Sequence, residues 1–270
     1  MLRYRVAAVL TALGLASGGH QARAQQAPAA EDAPVGVDAP ESGSPPAWRA
    51  TVSTYAWLAG FSGQVRPMRQ APAVSIDKSF SEVWDNLDAS LFVNAMARRG
   101  RWVLLGDLNH TSSSDSGTIP VMPGLTARGG FSQTTLLALS GYRLHEDAQQ
   151  SFDVYGGARW WRVRSHVSAR LGGTPVLSMA DRFQWIDPVL AARYRRAFTT
   201  KDEMLLYADL GGFGVGAKRS WQWLALYNRA LGRRWMFSAG YRMVSTDYRD
   251  GGHVHDVRIG GPLLGLTWRF

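Results

Sequence analysis

From Ile259 to Phe270 the chain reads I-G-G-P-L-L-G-L-T-W-R-F. Counting back from the last residue, Phe270, Trp268, Leu266, Leu264 and Pro262 share one parity. Arg269, Thr267 and Gly265 share the other, with Leu263 the exception. A period of two belongs to a β-strand with one apolar face and one mixed face. In water such a face must be buried, and a bare terminal Phe leaves apolar surface exposed.

The same alternation recurs along the chain. Leu91, Val93, Ala95 and Ala97 oppose Ser90, Asn94 and Arg98. Trp102, Leu104, Gly106 and Leu108 oppose Arg101, Asp107 and Asn109. Trp235, Phe237, Ala239, Tyr241 and Met243 oppose Ser238, Gly240 and Arg242. Similar stretches at 48–58, 131–143, 152–163, 185–195, 204–213, 221–227 and 253–270 bring the expected count to about ten strands, within eight to twelve. Short connections (98–101, 144–150, 198–202, 230–233) take turns with longer ones (59–87, 111–128, 167–182, 247–253), the link at 214–219 being the one short member of the second set. In the first long connection, 61–66 and 73–77 can pair as a hairpin. Phe80, Val83, Trp84 and Leu87 then have helical spacing, with Ser79 or Ser81 as cap. That predicts a short amphipathic helix at the mouth of the fold.

The polar parity carries charge. Asp107, Asp153, Asp187 and Asp209, with Arg159, Arg193, Arg242 and Arg258, fall at positions read as inward. A soluble barrel puts apolar residues inside. Here the apolar parity is left to face outward, which suits lipid. After the N-terminus there is no apolar run of about 18 residues, so no helix is expected to cross a membrane. A closed barrel crosses with alternating strands instead. The expected fold is therefore all-β: an antiparallel, up-and-down transmembrane barrel. Trp48, Trp102, Tyr142, Trp235 and Trp268 near strand ends fit an interfacial girdle.

The N-terminus reads as an export signal. Arg3 and Arg5 precede an apolar core, Val6 to Ala16, and Ala22-Arg23-Ala24 fits a cleavage site, so residues 1–24 are expected to be removed. Residues 25–47 are rich in Ala, Pro and Ser and hold four acids and no base. They read as a disordered periplasmic leader, with the barrel over 48–270. The whole chain has 30 basic and 21 acidic residues; without residues 1–47 the balance is 27 against 17. There is no Cys, hence no disulfide, thiolate site or cysteine-linked lipid anchor in the sequence.

Residues 48–270 resemble the small outer-membrane β-barrels of proteobacteria, the class of the OmpA, OmpW and opacity-protein barrels. A narrower, uncharacterised branch is suggested by Trp57-Leu-Ala-Gly60 with Gly63, Phe80-Ser-Glu-Val-Trp-Asp-Asn-Leu-Asp88, Gly211-Gly-Phe-Gly-Val-Gly216 and Gly261-Pro-Leu-Leu-Gly-Leu-Thr-Trp-Arg-Phe270. The resemblance implies outer-membrane localisation. It also implies that Leu264, Leu266, Trp268 and Phe270 form the terminal signal read by the barrel-assembly machinery. No settled activity comes with it.

The inward Asp and Arg set reads first as a salt-bridge network filling the lumen, then as the lining of a selective pore, and least as a catalytic carboxylate pair. The glycines at 211–216 lack the Lys-Ser/Thr and the strand–loop–helix setting of a phosphate loop and are read as packing glycines. His110, His166, His253 and His255 lie near outer strand ends, the first of them close to Ser112, Ser113, Ser114 and Asp115. No spacing reproduces a hydrolase triad, so solvated loop histidines are expected, and no metal or cofactor. Arg128, Arg162, Arg164, Arg170, Arg182, Lys218 and Arg219 gather at the outer ends, where phosphorylated lipopolysaccharide would meet them. Export argues against nucleic acid as the partner. The expected role is structural or surface-interacting, not enzymatic, with a plugged lumen. A narrow solute channel is the alternative, a lipid-modifying hydrolase the third reading, and the oligomeric state stays open.

Overall fold

A computed structural model describes residues 47–69, 72–85, 87–118 and 124–270. The export signal and nearly all of the acidic leader lie outside the described residues. Twelve strands and one helix follow in order: β1 (Arg49–Trp57), β2 (Gly60–Arg66), β3 (Val74–Lys78), α1 (Phe80–Asp85), β4 (Leu87–Arg99), β5 (Trp102–Thr118), β6 (Leu125–Glu146), β7 (Gln150–Leu171), β8 (Thr174–Ala197), β9 (Asp202–Gly211), β10 (Arg219–Ala230), β11 (Trp235–Asp250) and β12 (His253–Arg269). Neighbouring strands pair antiparallel from β4 to β12. β1 joins β4 on one side and β12 on the other, closing a ten-membered ring. Closure pairs each strand on both edges where the ring is complete, as a membrane-spanning sheet requires.

β2 continues β1 along the same partner. β1 lies against Leu263–Arg269 of β12, and β2 against Val254–Gly260. At the break, the Leu58 N–H reaches Pro262 O at 2.9 Å, so the ladder is kept through the kink. Gly261 makes the close approach there possible, since a Cβ would sit 2.0 Å from Leu58 O; further along β2, Gly63, with a φ of +140°, comes as close to Asp256 O, 2.1 Å from where its Cβ would be. β3 returns along β2, forming the expected hairpin, and α1 packs beside it. The Ser79 backbone N–H and side-chain hydroxyl both donate to Glu82, at 2.8 and 2.7 Å. This closes a capping arrangement at the helix start, and those two bonds hold the Glu82 carboxyl below its ordinary range.

The surface is the inverse of a soluble barrel. Ile186, Leu190 and Leu210 are each more than half exposed, while Asp153 and Asp187 are fully buried. Val52, Leu91, Leu104, Leu136, Leu206, Phe237, Tyr241 and Leu264 extend the exposed apolar belt. Trp102 packs edge-on against Tyr142 at 5.7 Å and Trp235 against Trp268 at 4.4 Å, at the end that carries the short turns. These are the girdle residues of one interface.

Three expectations are corrected. Residues 111–128 and 167–182 were expected to be loops. Instead β5 runs on to Thr118, β6 starts at Leu125, and β7 and β8 meet at Gly172-Gly173, whose φ values of +55° and +86° close a two-residue turn. Hydrogen-bonded ladders extend these polar, Ser- and Gly-rich stretches well past the apolar belt. From Thr111 to Ser116 no apolar residue offers a period-two signal; in the second stretch Val167, Ala169 and Leu171 do alternate with Ser168 and Arg170, but the glycines and Pro175 that follow read as a loop. Phe213, expected to end the strand 204–213, stands instead beyond β9, exposed in the β9–β10 turn with a φ of +48°. The helix stays on the β2–β3 hairpin, and the barrel mouth is crossed by residues 67–69 instead.

Candidate functional site

The inward parity builds the lumen in successive levels. At the short-turn end lies a cavity of about 1340 Å³. Its walls are the inward residues of nearly every strand, including Thr51, Ser53, Met96, Leu105, Leu224 and Ser238.

Above the cavity is a charged level. Arg242 on β11 reaches across to Asp107 on β5 at 3.0 Å and to Gln222 at 2.8 Å. It also bonds the hydroxyl of Tyr55. Asp107 accepts further bonds from Tyr55 at 3.0 Å and Asn109 at 2.5 Å. The Arg242 guanidinium lies 4.9 Å from the Trp57 ring and 5.7 Å from Tyr55, so its face is covered as well as its edge. Arg159 meets Asp209 at 2.6 Å, and Tyr207 donates to the same carboxylate at 2.8 Å. Lower down, in the wall of the cavity itself, Arg143 and Arg193 share Asp153, at 2.6 and 3.2 Å. Asp187 is satisfied differently: Trp185 Nε1 at 3.1 Å and the backbone N–H of Ala217 at 2.7 Å.

Beyond this level the lumen is filled by rings. Trp161 and Trp185 stack at 5.3 Å, Trp185 on Tyr248 at 4.1 Å, and Phe183 on His253 at 4.3 Å. His255 faces Phe131 at 6.4 Å and Trp161 at 6.3 Å. These contacts join β6, β7 and β8 to β11 and β12, so they cross the lumen. Above them, the segment after β2 reaches the opposite wall. Ser165 donates to Pro67 O at 3.2 Å, the Arg69 N–H to Asp181 at 3.4 Å, and Arg69 Nε to His253 Nε2 at 3.3 Å. Met68, the middle residue of this strap, is buried. A second cavity, about 610 Å³, lies at the outer end beside Ser112, Phe131, Arg164, His166 and Asp181.

Of the inward set, Asp107, Asp153, Arg159, Asp187, Asp209 and Arg242 are buried in the lumen, and Arg193 points inward. Arg258 does not belong to it: it is exposed on the outer wall, opposite Ser245 and Ser62. Its even number puts it on the parity of Pro262, Leu264 and Leu266, so the terminal pattern already assigned it outward. His253 and His255 correct the expectation of solvated histidines, because both are buried among the rings. Sequence reading missed Arg143, although it shares the parity of Leu137 and Leu139 on β6.

The rim set lies on the outside of the wall. On β6, β7 and β8, Arg128, Arg164, Arg170 and Arg182 are exposed and Arg162 half-buried. Arg164 stands directly opposite Arg182. Among the described residues none of these five forms an ion pair. Lys218 and Arg219 are exposed at the β9–β10 turn, away from the others. Leu264, Leu266 and Phe270 point outward, and the Phe270 N–H bonds Ala50 O at 2.9 Å.

Comparison with known proteins places this geometry. The outer-membrane protease OmpT from Escherichia coli superposes with a TM-score of 0.53 at 9% identity, over 83% of this chain and 97% of that one. The fold is that of an outer-membrane β-barrel. The translocator domain of the autotransporter NalP from Neisseria meningitidis gives 0.47 at 12% identity, over 83% and 88%. The Ail protein of Yersinia pestis gives 0.34 at 13%, over 83% and 98%. No family model matches the sequence, and no curated protein matches it.

Proposed function

We propose that this protein is an integral outer-membrane barrel with a closed lumen, working through its surface rather than through a pore or a reaction. The observation that carries the reading is the filled outer half of the lumen. A charged level, a ring-packed level and the Pro67–Arg69 strap lie in series between the two cavities. Each level joins opposite walls by direct contacts. Ten strands enclose little more than the eight-stranded case, whose side chains just fill the interior.

Beyond the apolar belt, the exposed arginines of β6–β8 fit the phosphates of lipopolysaccharide. Like charges facing each other, as Arg164 and Arg182 do, repel unless an anion lies between them. The barrel-assembly machinery is the expected partner during insertion, through Leu264, Leu266, Trp268 and Phe270. A non-enzymatic role is favoured by the local bonding. His110 Nδ1 is engaged with Thr134 Oγ1 at 2.8 Å and Ser114 Oγ with Asp88 at 2.9 Å, so these two bonds do not join the histidine to the serine as a nucleophile and its base.

The narrow-channel reading is favoured by one observation, the wide cavity that occupies the lumen from the short-turn end. Single-channel recording decides between the two. The wild-type barrel in a planar bilayer is expected to show no steady conductance, and Arg159→Ala with Arg242→Ala is expected to open events. A stable, large conductance of the wild type would overturn the closed-lumen reading.

A further inference from the structure

The cavity at the short-turn end has an unbalanced charge. Eight arginines and three carboxylates line it, an excess of five positive charges. The carboxylates are already engaged. Glu146 takes both Arg98 at 2.7 Å and Arg143 at 2.6 Å, Glu203 takes Arg195 at 3.0 Å, and Asp107 takes Arg242. Asp153, behind the wall, is shared by Arg143 and Arg193. Among the described residues no ion pair reaches Arg101 or Arg269, and the Arg269 guanidinium donates to Met236 Sδ at 2.8 Å. At the roof, Arg242 is 5% exposed and its Nε has no acceptor.

A guanidinium offers five donors and no acceptor. A bowl of arginines with surplus donors therefore lacks acceptor-rich anions. A fold that needed only structural pairs could balance the charge with carboxylates, as the level above does. Short turns face the periplasm in this class of barrel, so the bowl opens to that compartment. Low-dielectric walls focus the field of one sign and concentrate counter-ions of the other.

We propose that the periplasm-facing cavity is a binding site for a small soluble polyanion carrying phosphates or carboxylates. Arg101 and Arg269 would take it at the mouth, and Arg193 and Arg195 along the wall. The site goes beyond the closed-barrel reading and does not depend on it, since the cavity exists whether or not the outer half conducts. The class is set by the donors: guanidinium pairs match phosphate and carboxylate oxygens two at a time. The volume admits a molecule with several such groups, and the open, wet mouth makes affinity sensitive to salt.

The test uses the full chain, folded in neutral detergent free of lipopolysaccharide, with tripolyphosphate as probe in titration calorimetry. One binding event is expected, weakening as salt rises. Arg101→Gln with Arg269→Gln removes two charge-assisted contacts and should weaken binding about tenfold or more. Arg196→Gln with Arg258→Gln makes the same charge change at exposed outward positions and should leave binding as it was. Heat-modifiable gel migration shows that each variant is folded. Absence of wild-type binding, or equal weakening in the two double variants, would overturn the site. Binding seen only after E31Q, D32N, D38N and E41Q together would give the cavity to the chain's own acidic stretch and overturn a soluble ligand.

Discussion

The bond between Asp107 and Arg242 is the one whose removal should be felt most clearly. Asp107 receives Arg242, Tyr55, Asn109 and, at 3.4 Å, Asn94. Asp107→Asn keeps the shape but removes the charge. It leaves the Arg242 guanidinium buried with only neutral acceptors: Gln222 at 2.8 Å, Asn109 at 3.3 Å and the Tyr55 hydroxyl. Breaking a dry buried pair from one side costs about 3–5 kcal/mol. Both residues also form part of the wall of the wide cavity, which water can enter. That moves the cost to the lower end, about 2–3 kcal/mol, the range of a charged hydrogen bond. The cover from Trp57 and Tyr55 survives the change, which is a second reason for the lower figure. Arg242→Gln should cost a similar amount. The double variant should cost less than the sum, by about 1–2 kcal/mol, because neither charge is then left alone. Urea unfolding in lipid vesicles, followed by tryptophan fluorescence, gives all four corners of the cycle. An additive double variant, or an Asp107→Asn protein as stable as wild type, would refute the claim that this pair holds the lumen.

Three further outcomes are expected. Leu190→Arg sits at the middle of the apolar belt and should cost about 2–4 kcal/mol in vesicles, while Leu104→Arg, one outward position from the Trp102 girdle, should cost less; the reverse order in urea unfolding would move the belt. Phe270→Asp should lower the yield of folded, heat-modifiable barrel in membranes, and wild-type yield would remove the terminal residue from the assembly signal. Asp147, in the turn before β7, accepts bonds from Gln149 N and Gln150 N at 2.8 Å each and from His145 and Gln150 side chains at 3.0 Å each. These hold its carboxyl well below the ordinary range. A depressed folded pKa contributes stability that is fully present above the unfolded value, about 4, and lost as pH falls through the folded one. The stability gap between wild type and Asp147→Asn should therefore narrow below about pH 4, and a gap that widens on acidification would reverse the sign.

The alternation was sufficient for the wall. Wherever apolar and polar residues take turns, as in Trp102 to Asn109 or Trp235 to Met243, the sequence alone determined strand, facing and the inside-out character, because side-chain direction in a strand depends only on parity. The hairpin at β2–β3 and the short helix after it were legible for the same kind of local reason. Parity failed where the pattern loses contrast. After Thr111 the residues are polar on both parities, and in 167–182 the alternation of Val167, Ala169 and Leu171 is cut off by Gly172-Gly173, so ladder hydrogen bonds decided these strands. Arg258 shows the other failure: the local charge drew it inward against its own parity. What the tertiary structure alone decided is who meets whom across the lumen. Arg159 sits opposite Asp187 on the neighbouring strand yet reaches past it to Asp209, and Asp187 is left to Trp185 and a backbone N–H. The closing of the mouth by Pro67–Arg69, and the burial of His253 and His255 among rings from other strands, likewise follow from ring closure. Closure brings together residues far apart in the chain, and no local pattern encodes those distances.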